Sequence, residues 1–99
     1  MTDLNSQIKK LIEGAAKNQW PDFGTTSVVV ERPKEASHGD YSTNVALALS
    51  KKLGKNPMEI AQKIAEGIKD KLFEKVEAVA PGFINFYLSK EVFIESLKK

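Results

Sequence analysis

Cysteine is absent from the 99 residues, so neither a disulfide framework nor a thiolate metal site can form. Histidine occurs once, as His38, and a zinc site here would rest almost wholly on carboxylates, a poor donor set for that metal. No apolar run approaches the ~20 residues that span a bilayer, and the N-terminus lacks the basic-then-apolar pattern of a signal peptide. A cytoplasmic chain with no membrane partner is the simplest expectation. There is no internal repeat, P-loop, dinucleotide fingerprint, H-E-x-x-H or calcium loop. The acidic residues fall at scattered helix-surface positions, and no carboxylate pair sits in the apolar setting that acid–base chemistry requires. Ser37, His38, Asp40 and Ser42 crowd one short stretch, but neighbours on a tight loop do not converge as a hydrolase triad must, and no nucleophile-elbow glycines surround the serines. No catalytic apparatus is visible.

What is present suits one domain. Apolar residues make up 41% of the chain, enough for one core. The net charge of +2 is unevenly spread, because residues 51–75 hold seven lysines against four acidic residues. Such an excess can meet phosphates or can be the solvated face of a helix.

In chain order, Leu4, Ile8, Leu11, Ile12 and Ala15 follow helical spacing over 3–17, with Thr2 or Asp3 as cap. Pro21 and Gly24 end that pattern, and Trp20 and Phe23 are expected to pack under the loop. Residues 27–32 read as a β-branched strand stopped by Pro33, followed by a polar loop to Gly39, which permits a sharp turn. A helix is expected over 42–53, capped by Asp40 or Ser42, carrying Val45, Ala48, Leu49 and Leu53 inward and closed by Gly54. Asn56-Pro57-Met58-Glu59 is a helix start in which Asn56 caps, Pro57 takes the first position and Glu59 can reach back. That helix is expected to run to about Leu72, with Gly67 marking a close backbone approach. Residues 73–80 read as a strand with Val76, Ala78 and Ala80 on one face. Ser89 then caps a last helix with Val92, Phe93 and Leu97 as its stripe. The pattern stops about two and a half turns in, which reads as a chain that continues into something longer. Asn44, in the first turn of the 42–53 helix, is expected to steady the local backbone rather than meet RNA, and His38 to hydrogen-bond its turn.

Residues 79–88 carry the most information. Pro81 and Gly82 suit the second and third positions of a type II turn, with positive φ at Gly82. Beyond the turn Ile84, Phe86 and Leu88 point one way and Phe83, Asn85 and Tyr87 the other. The first set fills a core. The second set offers two aromatics and an amide, the groups that stack on bases and bind their edges; it could equally be a half-buried face under a helix.

The ordered set His38-Gly39-Asp40-Tyr41-Ser42-Thr43-Asn44-Val45-Ala46, Lys51-Lys52-Leu53-Gly54-Lys55-Asn56-Pro57 and Val76-Glu77-Ala78-Val79-Ala80-Pro81-Gly82-Phe83-Ile84-Asn85-Phe86 resembles the N-terminal additional domain of class I arginyl-tRNA synthetases, over nearly the whole chain. The resemblance implies an α+β fold, a small antiparallel sheet of three to four strands packed with three to four helices. It implies a domain over residues 1–89, with 90–99 opening the helix toward a catalytic domain. It also implies contact with the D-loop and elbow of tRNA(Arg), orienting the tRNA for arginylation. By position it points to Phe83 for stacking and Asn85 for hydrogen bonding. Tyr87 extends this by the two-residue period of a strand, and Lys51, Lys52 and Lys55 are the expected phosphate contacts. Nothing matches the family's ATP motif, its later lysine loop or its anticodon-binding helices. ATP and Mg2+ therefore belong to the parent enzyme, and no cofactor and no turnover are expected of this chain alone. The expected partners are tRNA(Arg) and the catalytic domain of the same synthetase, with no DNA, and the chain is expected to be a monomer. The alternative is a structural module that packs on the rest of the synthetase, or on another protein, without touching RNA.

Overall fold

The computed structural model describes residues 3–21, 28–34 and 39–97, with the side chains of 96 and 97 excepted. Helix α1 (Leu4–Gln19) starts where the Asp3 carboxylate accepts the Ser6 N–H at 2.8 Å, and it buries Ile8, Ile12, Ala15 and Ala16. Trp20 packs against the core as expected, whereas Thr2 and Phe23 lie outside the described residues. Strand β1 is short (Val30–Glu31). Of the longer strand expected from Ser27, Val28 and Val29 are described but unpaired, and Ser27 lies outside the described residues.

The first correction concerns residues 40–44. Tyr41–Thr43 form a strand, β2, not the start of a helix. The Asp40 N–H donates to the Phe86 carbonyl, and the Asp40 carboxylate accepts the Leu88 N–H at 2.9 Å, so this acid ties a strand and caps no helix. Helix α2 (Val45–Leu53) begins three residues later than expected. Neither Asp40 nor Ser42 caps it; Thr43 Oγ1 accepts the Val45 N–H and donates to the Val29 carbonyl. Gly39, at φ 87°, is needed on two counts, since a Cβ there would also lie 2.8 Å from the Phe86 carbonyl oxygen. Gly54 closes α2 in the left-handed conformation, as expected.

Helix α3 (Pro57–Gly67) starts as read: Asn56 Oδ1 accepts the Met58 and Glu59 N–H groups. It stops at Gly67, short of Leu72, because the Asp70 carboxylate accepts the Leu72 N–H and supports a local turn that competes with the helix. Gly67 faces the side chain of Ala15 at ordinary contact distance, not another backbone.

Strands β3 (Phe73–Val79) and β4 (Phe83–Leu88) complete an antiparallel sheet in the order β1-β2-β4-β3. An irregularity between Phe73 and Lys75 brings the Phe73 ring to 5.1 Å from the Phe86 ring. The β3–β4 turn corrects the type II expectation. The Ala80–Pro81 peptide is cis, and Gly82 is not among the positive-φ glycines. Gly82 is required for space: a Cβ there would lie 2.9 Å from Pro57 Cβ and 3.1 Å from Leu47 Cδ2. Helix α4 (Lys90–Leu97) starts at Ser89, whose hydroxyl accepts the Val92 N–H. Val92 reaches the core, but Phe93 is 40% exposed rather than part of a buried stripe, beside Ile94 at 46%.

Among the described residues this makes four helices and one four-stranded sheet, a single α+β domain. The rows Val30–Thr43–Ile84–Ala78 and Tyr41–Phe86–Val76 face the core under α1, α2 and α3. The opposite face presents the row Glu31–Ser42–Asn85–Glu77, with Phe83 beside Val79 and Tyr87 beside Lys75.

Candidate nucleic-acid interface

The open face of the sheet is not flat. Pro33, Ser42, Val79, Ala80, Phe83 and Asn85 line a hollow of about 320 Å3. Its walls come from four places in the chain. Pro33 follows β1, Ser42 comes from β2, Val79 and Ala80 end β3, and Phe83 and Asn85 open β4. Ala80, expected on the core face with Val76 and Ala78, is exposed beyond the end of β3 and belongs to this hollow. Phe83 is 37% exposed and also borders a smaller depression with Val29, Glu31, Ser42, Thr43 and Asn44. Phe83 and Ser42 are thus common to both recesses.

Asn85 is only 6% exposed, although its side chain is on the face away from the helices. Among the described residues its side-chain amide has no hydrogen-bonding partner, and neither has the Ser42 hydroxyl beside it. Among the described residues no buried side-chain nitrogen or oxygen lacks a partner, so the amide atoms of Asn85 reach the surface although the residue as a whole is nearly covered. Its remaining access is through the hollow. An exposed aromatic ring, apolar walls and an amide floor make a slot that can stack a flat heterocycle and bind its edge.

The other residues expected at the site are placed differently. Tyr87 lies four residues beyond Phe83, about 13 Å along the strand. It lines neither recess, and the Lys75 ammonium, itself paired with Glu77 at 3.3 Å, sits 5.2 Å from its ring centroid. Stacking on that ring would have to displace a cation. Lys51, Lys52 and Lys55 are exposed but line neither recess. Lys51 and Lys52 occupy the last turn of α2. Lys55 lies two residues before Pro57, which packs against Gly82 in the turn leading to Phe83, whereas Lys51 and Lys52 lie four and five residues past Leu47, which meets the same turn. Asn44 makes no side-chain cap bond; its carbonyl accepts the Leu47 and Ala48 N–H groups. Ser37 and His38 lie outside the described residues.

Sequence reasoning missed Pro33, Ser42, Val79 and Ala80, which acquire meaning only when the strands pair. It also missed the cations nearest in chain to the slot. Arg32 and Lys34 flank Pro33 and are exposed, the Arg32 guanidinium lying 5.5 Å from the Tyr41 ring centroid. Among the described residues no group of three or more His, Cys, Asp or Glu side chains could hold a metal ion, and no helix is long and apolar enough to cross a membrane.

Comparison with known proteins is consistent across sequence and fold. The family model described as the arginyl tRNA synthetase N terminal domain matches residues 3–88. An arginine–tRNA ligase of Azoarcus sp. is 48% identical over 83 residues, spanning 83% of this chain and 14% of that protein. One from Malacoplasma penetrans is 39% identical over 102 residues, covering 99% of this chain and 18% of the relative. Among solved structures, the arginyl-tRNA synthetase of Plasmodium falciparum superposes with a TM-score of 0.86 at 26% identity, over 99% of this chain and 18% of that one. The Thermus thermophilus arginyl-tRNA synthetase gives 0.82 at 26% identity, over 98% and 16%. The chain thus spans less than a fifth of each of these relatives. Matched along nearly its whole length by a family model, by ligase sequences and by synthetase structures, it belongs to the arginyl-tRNA synthetase N-terminal domain family.

Proposed function

We propose that this domain binds tRNA(Arg) at its elbow, takes an unpaired D-loop base into the slot beside Phe83, and so orients the tRNA for arginylation by an ATP-dependent catalytic domain. ATP and Mg2+ would belong to that catalytic domain. Residues 1–89 form the binding unit and 90–99 lead onward; the family match ending at residue 88 and α4 beginning at Lys90 support that division. The observation that carries the reading is Asn85, a largely covered residue whose amide makes no hydrogen bond among the described residues and opens into a recess walled by an exposed aromatic ring. A base stacked on Phe83 gains about 1–3 kcal/mol. Lys34 and Lys55, exposed and near the slot by chain, would meet adjoining phosphates, whose contacts supply affinity and salt dependence, whereas the Arg32 guanidinium lies against Tyr41 of the other face.

The test is an NMR titration of the labelled chain with tRNA(Arg) at low and at moderate salt. Shifts centred on Phe83, Asn85 and their neighbours, fading as salt rises, are the expected result. A well-dispersed spectrum that does not move would remove the reading. One observation favours the second reading, a module that docks on the rest of its synthetase: the exposed Phe93 and Ile94 on α4. Docking of that kind would broaden α4 resonances on addition of the catalytic portion and would barely respond to salt.

A further inference from the structure

We infer that Ser42 is a second hydrogen-bonding group of the slot, so that a base stacked on Phe83 meets the Asn85 amide and the Ser42 hydroxyl together. This rests on the reading of the slot as a base-binding site and adds a residue to it. Ser42 and Asn85 are register partners in the β2–β4 pair, so they are side-by-side neighbours on the open face. Ser42 is half-buried and lines both recesses beside Phe83. Like Asn85, it has no side-chain hydrogen bond among the described residues.

Its strand neighbour provides the contrast. Thr43, one residue on and facing the core, uses its hydroxyl twice, donating to the Val29 carbonyl and accepting the Val45 N–H. The Thr43 hydroxyl is thus committed to the fold, whereas the Ser42 hydroxyl faces the slot with no bond of its own among the described residues.

The pair also has a chemical logic. A primary amide offers one donor and one acceptor side by side and can turn over, so Asn85 alone can bind the edge of any base. A hydroxyl next to it adds a third point of contact and completes the edge. Glu31 and Glu77 close the same row at its two ends; Glu77 is paired with Lys75, and the Glu31 carboxylate disfavours phosphate over the floor of the slot. The base enters, and its phosphates stay outside.

The experiment measures the affinity of this chain, and of a full-length arginyl-tRNA synthetase carrying it, for tRNA(Arg) transcripts. One transcript is unaltered, and in a series each D-loop nucleotide in turn is made abasic. Ser42→Ala should weaken binding of the unaltered transcript about two- to tenfold, the usual worth of one neutral hydrogen bond. It should cost nothing further against the one abasic transcript that lacks the bound base. Ser42→Thr, which keeps the hydroxyl, should bind within about twofold of the parent. Thermal midpoints of both variants should match the parent.

Equal affinity of Ser42→Ala and parent for the unaltered transcript would overturn the inference. So would an equal loss on every transcript, or a midpoint lowered by several degrees, either of which would make Ser42 a structural residue. Phe83→Ala, run in parallel, separates the two claims. If it weakens binding while Ser42→Ala does not, only the role of Ser42 falls. If neither weakens binding, the slot itself falls.

Discussion

The two faces of the sheet obey different rules although they are made by the same strands. On the face under the helices, Ile84, Phe86 and Leu88 are buried among apolar neighbours, and the Thr43 hydroxyl is bonded on both sides. On the open face, Asn85 is nearly as buried as they are, yet its amide and the adjacent Ser42 hydroxyl have no partner among the described residues. The comparison teaches where to look for function. Polar groups that the fold has bonded serve the fold, and unbonded polar groups that open into a recess are available to a ligand.

The largest effect that would sharpen the comparison is Phe86→Ala. Phe86 is wholly buried, packs on the Phe73 ring, and forms the floor of the core under the helices. Its truncation should cost about 3–5 kcal/mol, a large part of the ~5–15 kcal/mol that holds a small domain together. Chemical denaturation should show the midpoint collapsing and tRNA binding lost with it. Gly39→Ala should come next, at about 2 kcal/mol, because the position combines a left-handed φ with a 2.8 Å approach to the Phe86 carbonyl, next to the Asp40 bonds that tie β2 to β4. Unfolding curves that match the parent would mean that the Gly39 turn is not held against β4.

Phe83→Ala tests the other face. With its ring partly exposed and outside the core, the substitution should change stability by less than about 1 kcal/mol. The affinity for tRNA(Arg) should nevertheless fall by about five- to a hundredfold, the worth of one stacked base. Three residues along one strand, two phenylalanines would then separate cleanly, one lost from stability and one from binding. If Phe83→Ala unfolded the domain, or bound tRNA as the parent does, the division of labour between the faces would be broken.

The parts of this arrangement that depend on local chemistry were legible in the sequence, and those that depend on pairing were not. Alternation from Phe83 to Leu88 reveals both faces of β4, and Asn56-Pro57 and Gly54 mark helix ends because caps act within one turn. Strand β2 has three residues, too few to show a period, and its identity rests on Asp40 reaching Leu88, 48 residues away. A type II turn was the natural reading of Pro81-Gly82, but Gly82 is there to admit Pro57 and Leu47, a contact no local pattern reveals. The slot was half legible for the same reason. Phe83 and Asn85 share one strand, while Pro33, Ser42, Val79 and Ala80 arrive from three other segments. Charge was the least informative guide, since the lysine excess over residues 51–75 says nothing about which side of the fold each lysine takes.

The lysines give the smallest expected effect and the finest test. Leu47 and Pro57 both touch the position of Gly82, so the start of α2 and the start of α3 converge on the turn that leads to Phe83. Lys51 and Lys52 lie four and five residues past Leu47, about 6–8 Å farther along the helix axis. Lys55, two residues before Pro57, has returned toward the turn. A phosphate chain attached to a base in the slot should therefore pass closer to Lys55 than to Lys51. Lys55→Ala should weaken tRNA binding about two- to threefold at low salt and lower the slope of log affinity against log salt by about one. Lys51→Ala should change the slope by less. Equal slopes for the two variants would mean that the lysines act only through a diffuse field. A larger effect at Lys51 would place the RNA backbone along the far end of α2, and with it the base outside the slot.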